Sequence, residues 1–414
     1  MSVMIDTQET TQEDLHNGRS PWGLQHSPPQ RRRLTDSMTT EVLIIGGGIT
    51  GSLLAEHLVA RGHEVTLIDS EQPGLGSTAA STAMLQWEID QPLHRLSELY
   101  GFDAAAEIYR KSFSAVQGLT RLVADSGIDC QFSPRATLYI AADGVDHRVL
   151  QAESALRARA GLPGEFVDGA HLQAHFDLRR DGAILSPGSA DADPLLLAWG
   201  LLHRAERAGL RLIDAKAELF DADSRRVAVE MADGRVIEAR HVVLATGYIM
   251  PDFVKTELHS TVSSWALATV PQAPQGLWPG RPLVWEASED YHYMRSTADG
   301  RIVIGGEDDD TQDPDERARK TAQKRDRLLQ VLGELRPEAN RQVTHAWAGA
   351  FGTTQDGLPL IGAVPGHSRI FAAYGYGGNG ITFSYMASRM LAAEIAGKRE
   401  AWFDGFALDR PVPE

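Results

Sequence analysis

The stretch EVLIIGGGITGSLLAEHLVARGHEVTLIDSE, residues 41–71, decides the fold. Residues 42–45 are a short, fully apolar run ended by glycine, the pattern of a buried parallel strand. Residues 49–61 carry Ile49, Leu53, Leu54 and Leu58 at helical spacing, and Gly62 is a helix stop. Residues 65–68 read as the next strand, which ends in Asp69. Between first strand and helix lies Gly46-x-Gly48-x-x-Gly51. Gly46 permits the tight turn, Gly48 allows a pyrophosphate against the backbone, and Gly51 lets helix and strand pack closely. The helix N-terminus offers free N–H groups and a positive dipole to the phosphates. Asp69 follows Gly48 by 69 − 48 = 21 residues, where an acid reaches ribose hydroxyls and repels a 2′-phosphate. A glycine triplet alone is a weak signal. Strand, glycines, helix, strand and acid in register specify a dinucleotide site.

The rest of the chain does not repeat this unit. A helical region runs from about 93 to 126, and a strand-like segment from about 136 to 141. Residues 182–215 read as strand, loop, helix and strand. A hairpin turns at Asp233-Gly234 and leads into a buried strand ending at Thr246-Gly247. Several short strands occupy about 255–305. The acidic run EDDDTQDPDE, residues 307–316, reads as a solvated loop before a charged helix at about 317–335. Residues 370–373 are a strand, 375–380 a glycine loop and 381–395 a helix.

Three segments occur in a telling order: PGLGSTAASTAML (73–85), VVLATGY (242–248) and DGLPLIGAVPGHSRIFAAYGYGGNGITFS (356–384). Together they resemble the FAD-dependent D-amino-acid oxidase, glycine oxidase and sarcosine oxidase superfamily, over nearly everything from about residue 41 to 397. The resemblance implies an α/β fold. A Rossmann-like FAD-binding domain, discontinuous in sequence (39–95, 185–250 and 345–405), would carry a second, β-rich α+β substrate domain (96–184 and 251–344). Residues 1–38 would be a polar leader or extended arm, with Trp22 docked on the body. By motif, Gly46, Gly48, Ile49, Thr50 and Gly51 would hold the pyrophosphate, and Asp69 and Ser70 the adenosine ribose. Gly76, Ser77 and Thr78 would touch phosphate and ribitol, while Thr82, Ala83, Met84 and Leu85 pass along the isoalloxazine. Val227 would meet the adenine, and Ala245, Thr246 and Gly247 the ribose and pyrophosphate. Gly377, Gly378, Asn379, Gly380, Ile381 and Thr382 would meet the pyrimidine end, where a second helix dipole can stabilise negative charge on reduced flavin.

The implied chemistry is hydride removal from a C–H bond beside an amine nitrogen, followed by hydrolysis of the imine. Oxygen is the expected acceptor, giving hydrogen peroxide. A dehydrogenase serving a quinone or protein acceptor, a non-catalytic flavoprotein and a nicotinamide enzyme are the alternatives. Covalent relatives attach flavin through a cysteine near the DG-x-P segment. Residues 348–362, AGAFGTTQDGLPLIG, have none, so non-covalent FAD is expected.

Substrate recognition departs from the family pattern. Amino-acid oxidases often grip the carboxylate with an arginine shortly before DG-x-P, where this chain has Phe351-Gly352. Positions that carry a basic residue in sarcosine oxidases are here Ile381-Thr382 and LQWEIDQPLH, which contains Glu88 and Asp90. Either Arg295 holds a carboxylate, or the substrate is cationic and Glu88 faces a second ammonium. A solvated helix start for Glu88 and Asp90 is the competing reading. Tyr291 and Tyr293 are candidate pocket walls, with Trp347 and His345 near the flavin. No lysine stands out for oxygen activation; Lys255 is the nearest candidate. His171 and His175 have helical spacing but no third ligand, so no metal site is expected.

Composition bounds the rest. The 414 residues exceed one simple core, and 43% hydrophobic with 23% charged residues is ordinary for a globular enzyme. A formal charge of −16 disfavours nucleic acid and anionic membranes. The one compact basic run, Arg31-Arg32-Arg33, reads as a solvated tail. No span is long enough to cross a bilayer, and the leader lacks the apolar core of a secretion signal. Cys130 is the only cysteine, is expected to be buried, and fits a reducing, cytoplasmic setting.

Overall fold

The computed structural model describes residues 16–23, 26–142, 144–254 and 256–411. Residues 1–15 of the leader and Lys255 lie outside the described residues.

Two sheets organise the chain. At the centre of the first, Met38–Ile45 lies parallel between Val65–Asp69 and Val236–Leu244. Arg211–Asp214 extends it parallel to Val65–Asp69, and His367–Tyr374 pairs parallel with the end of Val236–Leu244. Both faces are covered, which is why the strand reads as a continuous apolar run. Val42 and Ile44 pack with Leu54 and Leu58 of the helix Ile49–Val59, while Leu43 and Ile45 pack with Val229, Ile237 and Tyr374 on the other side. The helices Pro194–Arg207 and Gly380–Ile395 pack against Ile49–Val59.

The second sheet has ten strands among the described residues, mostly antiparallel. His259–Thr269 and Val343–Thr354 form its longest pair, and the helix Pro314–Leu335 covers one side through Leu328 and Leu332. The predicted helix at 93–126 is two helices, Leu93–Tyr100 and Phe102–Ser126, because Gly101 stands at φ 80° between them.

Two expectations need correction. The acidic run is not a solvated loop: Glu307, Asp308 and Asp309 complete the strand Ile302–Asp309, and Asp313 caps the helix Pro314–Leu335 by accepting from the Asp315 and Glu316 amides. Arg31 is not in a solvated tail: it donates to the Asp69 carbonyl at 2.9 Å and meets the Asp214 carboxylate at 3.0 Å, while Arg32–Arg33 pairs with Arg211–Asp214. In the described part of the leader, His16–Gly18 adds an edge strand to Val343–Thr354, and Trp22 is buried, in line with the expected docking. Asp356 of DG-x-P is wholly buried and held by Arg410 at 2.8 Å and Tyr100 at 2.6 Å, which ties the C-terminal segment to the body. Among the described residues no helix is long and apolar enough to cross a membrane.

Candidate active site

The ends of three central strands, at Ile45, Asp69 and Leu244, open onto a long cleft of about 980 Å³. Carboxyl ends of parallel strands are where open α/β sheets place ligands. The glycine turn forms its floor. Gly46 takes φ 105°, and a Cβ there would lie 2.4 Å from the Ala245 carbonyl oxygen. A Cβ on Gly51 would lie 1.9 Å from the Gly46 oxygen, so helix and turn are in contact. Gly48 begins the helix without a capping side chain; the Thr78 hydroxyl, 29 residues away in sequence, accepts from the Ile49 amide at 3.0 Å instead. Thr78→Val keeps the shape and removes this acceptor. Urea unfolding of the apoprotein should show a loss of about 1 kcal/mol; an unchanged midpoint would mean the cap contributes nothing.

Asp69 is shaped by the same turn. Its carboxylate accepts from the Gly47 amide at 2.6 Å and the Glu71 amide at 2.9 Å. Burial pushes its pKa up and these two amides counter the shift. Ser77 carries a buried hydroxyl beside the cleft with no hydrogen-bond partner among the described residues, a group suited to a phosphate oxygen. Glycine floor, helix N-terminus, ribose-side acid and orphan hydroxyl together fit a dinucleotide.

Of the residues assigned to the cofactor, all line the cleft except Gly51, Ala83, Leu85, Val227, Asn379 and Thr382. Gly51 is taken up by the helix contact. Ala83 and Leu85 turn into the core, and Val227 is wholly buried within the first sheet, away from the cleft wall. Asn379 donates to the Glu88 carbonyl at 2.7 Å and Thr382 to the Gln86 carbonyl at 2.7 Å. They staple the C-terminal glycine loop to the segment after Leu85. The sequence reading missed Leu219, Ile249 and Phe253, which line the cleft and remain exposed apolar groups; that exposure is their only signal.

The other end of the cleft is an aromatic and acidic chamber. Trp285, Tyr291, Tyr293 and Phe351 line it with Glu88, Asp90 and Asp308. Tyr291 precedes the strand Tyr293–Ser296, and the two phenol rings lie 5.9 Å apart. Glu88 is 1% exposed and accepts from the Thr137 hydroxyl; burial raises its pKa against the pull of Arg157. Asp90 accepts from the Gly378 amide at 2.6 Å, and burial raises its pKa too. Neither acid sits on a solvated helix start. Asp308 is open to the cavity, yet removal from bulk water and the neighbouring Asp90 push its carboxyl up to about 6. Among the described residues lining the cleft, Lys216 and His367 are the only basic ones, and Lys216 follows Ala215, whose amide donates to the Asp69 carbonyl.

Two candidates fall elsewhere. Arg295 does not face the chamber: its guanidinium is 2% exposed and is taken up by the Thr82 and Ala192 carbonyls and Asp191. His345 does not line the cleft either; its ring meets the Thr344 hydroxyl at 2.9 Å. Trp347, two residues on, does line it. Cys130 is buried, and burial pushes its thiol up to about 12. His171 and His175 stack at 4.1 Å, and no group of three potential metal ligands forms among the described residues.

The chain is similar to known proteins throughout this architecture. It is 26% identical to γ-glutamylputrescine oxidoreductase of Escherichia coli (strain K12) over 383 residues, covering 90% of this chain and 87% of the relative. Glycine oxidase of Bacillus licheniformis is 25% identical, with 89% and 97% covered. The crystal structure of glycine oxidase from Geobacillus kaustophilus superposes with a TM-score of 0.75 at 22% identity, over 90% of this chain and 99% of that one. The family model for FAD dependent oxidoreductases (DAO) matches residues 41–394. With a dinucleotide cleft at the strand ends and that match across most of its length, the chain belongs to the DAO family of FAD-dependent oxidoreductases.

Proposed function

We propose that the protein oxidises a C–N bond of a cationic amine that carries no carboxylate, and that oxygen regenerates the cofactor with release of hydrogen peroxide. The observation that carries this reading is the chamber: three carboxylates and an aromatic wall, with no arginine or lysine in its lining among the described residues, Arg157 and Lys324 acting on Glu88 and Asp308 from behind that lining. A carboxylated substrate would bring its negative charge against Glu88, Asp90 and Asp308 without a partner, a costly arrangement in a low-dielectric site. A second ammonium on the substrate instead finds both carboxylate and ring faces. The named substrates of the relatives, γ-glutamylputrescine and glycine, are both amines, which supports amine chemistry; both also bear a carboxylate, so the preference for a carboxylate-free amine rests on the chamber alone.

Bound FAD supplies the two-electron acceptor for the substrate hydride. The glycine turn, Thr78 and Ser77 would hold its phosphates, Asp69 its ribose, and the loop before Gly380–Ile395 its pyrimidine end. Tyr291 and Tyr293 remain neutral phenols, because burial and nearby Asp90 and Asp308 both raise their pKa. They exclude water from the reacting carbon and leave the acids to bind charge. The buried lone cysteine lies outside the cleft lining, in keeping with non-covalent FAD. A dehydrogenase with a quinone or protein acceptor would use the same chamber and differ only in reoxidation.

Anaerobic mixing of the FAD-loaded protein with glycine, sarcosine, D- and L-amino acids, proline and polyamines tests the reading through loss of absorbance at about 450 nm. Diamines and polyamines are expected to bleach the flavin in preference to the amino acids. Preferential bleaching by the amino acids, or none by any amine, would overturn it.

A further inference from the structure

We infer that the leader is part of the cofactor site: Trp22, Arg295 and Trp347 form a three-point brace on the backbone of residues 80–82. Three consecutive carbonyls are taken by side chains from three distant parts of the chain. Trp347 Nε1 donates to Ala80 O at 2.8 Å, Trp22 Nε1 to Ser81 O at 2.8 Å, and Arg295 Nε to Thr82 O at 2.5 Å.

The donors hold one another as well. The two indoles meet edge to face at 6.4 Å and 76°, and the Arg295 guanidinium lies 4.8 Å from the Trp22 ring centroid. Arg295 is in turn fixed by the Ala192 carbonyl at 2.8 Å and the Asp191 carboxylate at 3.6 Å. The leader is secured just after Trp22, where the Gly23 amide donates to Asp193 at 3.0 Å. All three donors are at most 4% exposed, so water does not replace a bond that is lost.

The braced segment is the one that needs fixing. Ala80, Ser81 and Thr82 line the cleft, whereas Trp22 and Arg295 do not. The next residue, Ala83, takes φ 53°, a conformation that a non-glycine residue holds only when its surroundings impose it. A wall held in shape before the ligand arrives loses less freedom on binding. Trp22 is thus a positioning residue that acts through this backbone, and the leader supplies it.

Trp22→Phe in the full-length protein keeps the ring and removes one N–H. In the apoprotein, amide exchange at residues 80–83 should quicken. FAD titration should show about tenfold weaker binding, and the visible circular dichroism of the bound flavin should change. Trp278→Phe is the control: this indole is 2% exposed, lies outside the cleft lining, and its N–H has no partner among the described residues. It should alter none of these readouts. FAD affinity within twofold of the parent, unchanged exchange at 80–83, or an equal loss in W278F would overturn the inference. Should W22F not accumulate as folded protein, Arg295→Lys, which keeps the charge and removes the guanidinium donor to Thr82, is expected to give the same pattern. Its failure to do so would overturn the inference equally.

Discussion

Gly51→Ala is expected to purify without FAD and to bind added FAD at least about 100-fold more weakly than the parent. The new methyl carbon would stand 1.9 Å from the Gly46 carbonyl oxygen and 3.4 Å from the Ile44 side chain. Ordinary C···O approaches are about 3.3 Å or more, and the oxygen belongs to backbone rather than to a flexible side-chain tip. The helix Ile49–Val59 or the turn Gly46–Gly48 must therefore move. Overpacking of this kind costs about 1–3 kcal/mol, sometimes more. Here the displaced groups are the ones that hold phosphate, so the cost falls on cofactor binding. Gly405→Ala is the matched control, since a methyl there meets nothing within 4 Å among the described residues. The ratio of flavin to protein absorbance, followed by FAD titration, reads the outcome. Stoichiometric FAD in G51A would show that the helix does not need this contact.

Asp308→Asn should lower kcat/KM for diamines by about 10- to 100-fold, the worth of one charge-assisted contact of about 1.5–3 kcal/mol. The sign of the pH dependence follows from the carboxyl's position at about 6. Above that pH the group is anionic and attracts a cation; below it the group is neutral and the attraction fades. A quaternary ammonium inhibitor has a fixed charge, so any pH dependence of its affinity belongs to the protein. Its inhibition constant should fall as pH rises through about 6 in the parent, and this step should vanish in D308N. Asp90, Asp290, Lys324, Tyr291 and Tyr293 bear on the same locus. Asp308 is preferred for the test because Asp90 also holds the Gly378 amide, and its loss would disturb the loop itself. The same shift disfavours the folded state as pH rises: a carboxyl raised in the native protein is protonated there more than in the unfolded chain between the two pKa values, so its contribution to stability declines towards neutral pH. A D308N enzyme with unaltered diamine kinetics and the same pH step would remove Asp308 from substrate binding.

What the sequence determined by itself lies where the physics is local. Between Gly46 and Asp69 the chain makes strand, turn, helix and strand from residues adjacent in sequence. Each glycine is required by a contact a few residues away, so pattern and spacing sufficed to read the dinucleotide unit and, with the later motifs, the family and its FAD. The chamber could be read only in part: Glu88, Tyr291 and Tyr293 stood out as pocket candidates and do line it, but its third acid did not. Asp308 belongs to an acidic run that looks solvated, and it faces the cavity only because Ile302–Asp309 pairs antiparallel with His259–Thr269 and Tyr293–Ser296. Arg295 looked free to bind a carboxylate until the fold brought the Thr82 and Ala192 carbonyls within reach of it. Trp22 was expected to dock from its polar leader, but nothing local told that it would meet the Ser81 carbonyl, Trp347 and Arg295. A residue's side chain follows from its own strand or helix, but what it meets is set by pairing partners tens to hundreds of positions away. Those long-range partners, which no local pattern encodes, decided which acids line the cleft and which cation became part of its scaffold.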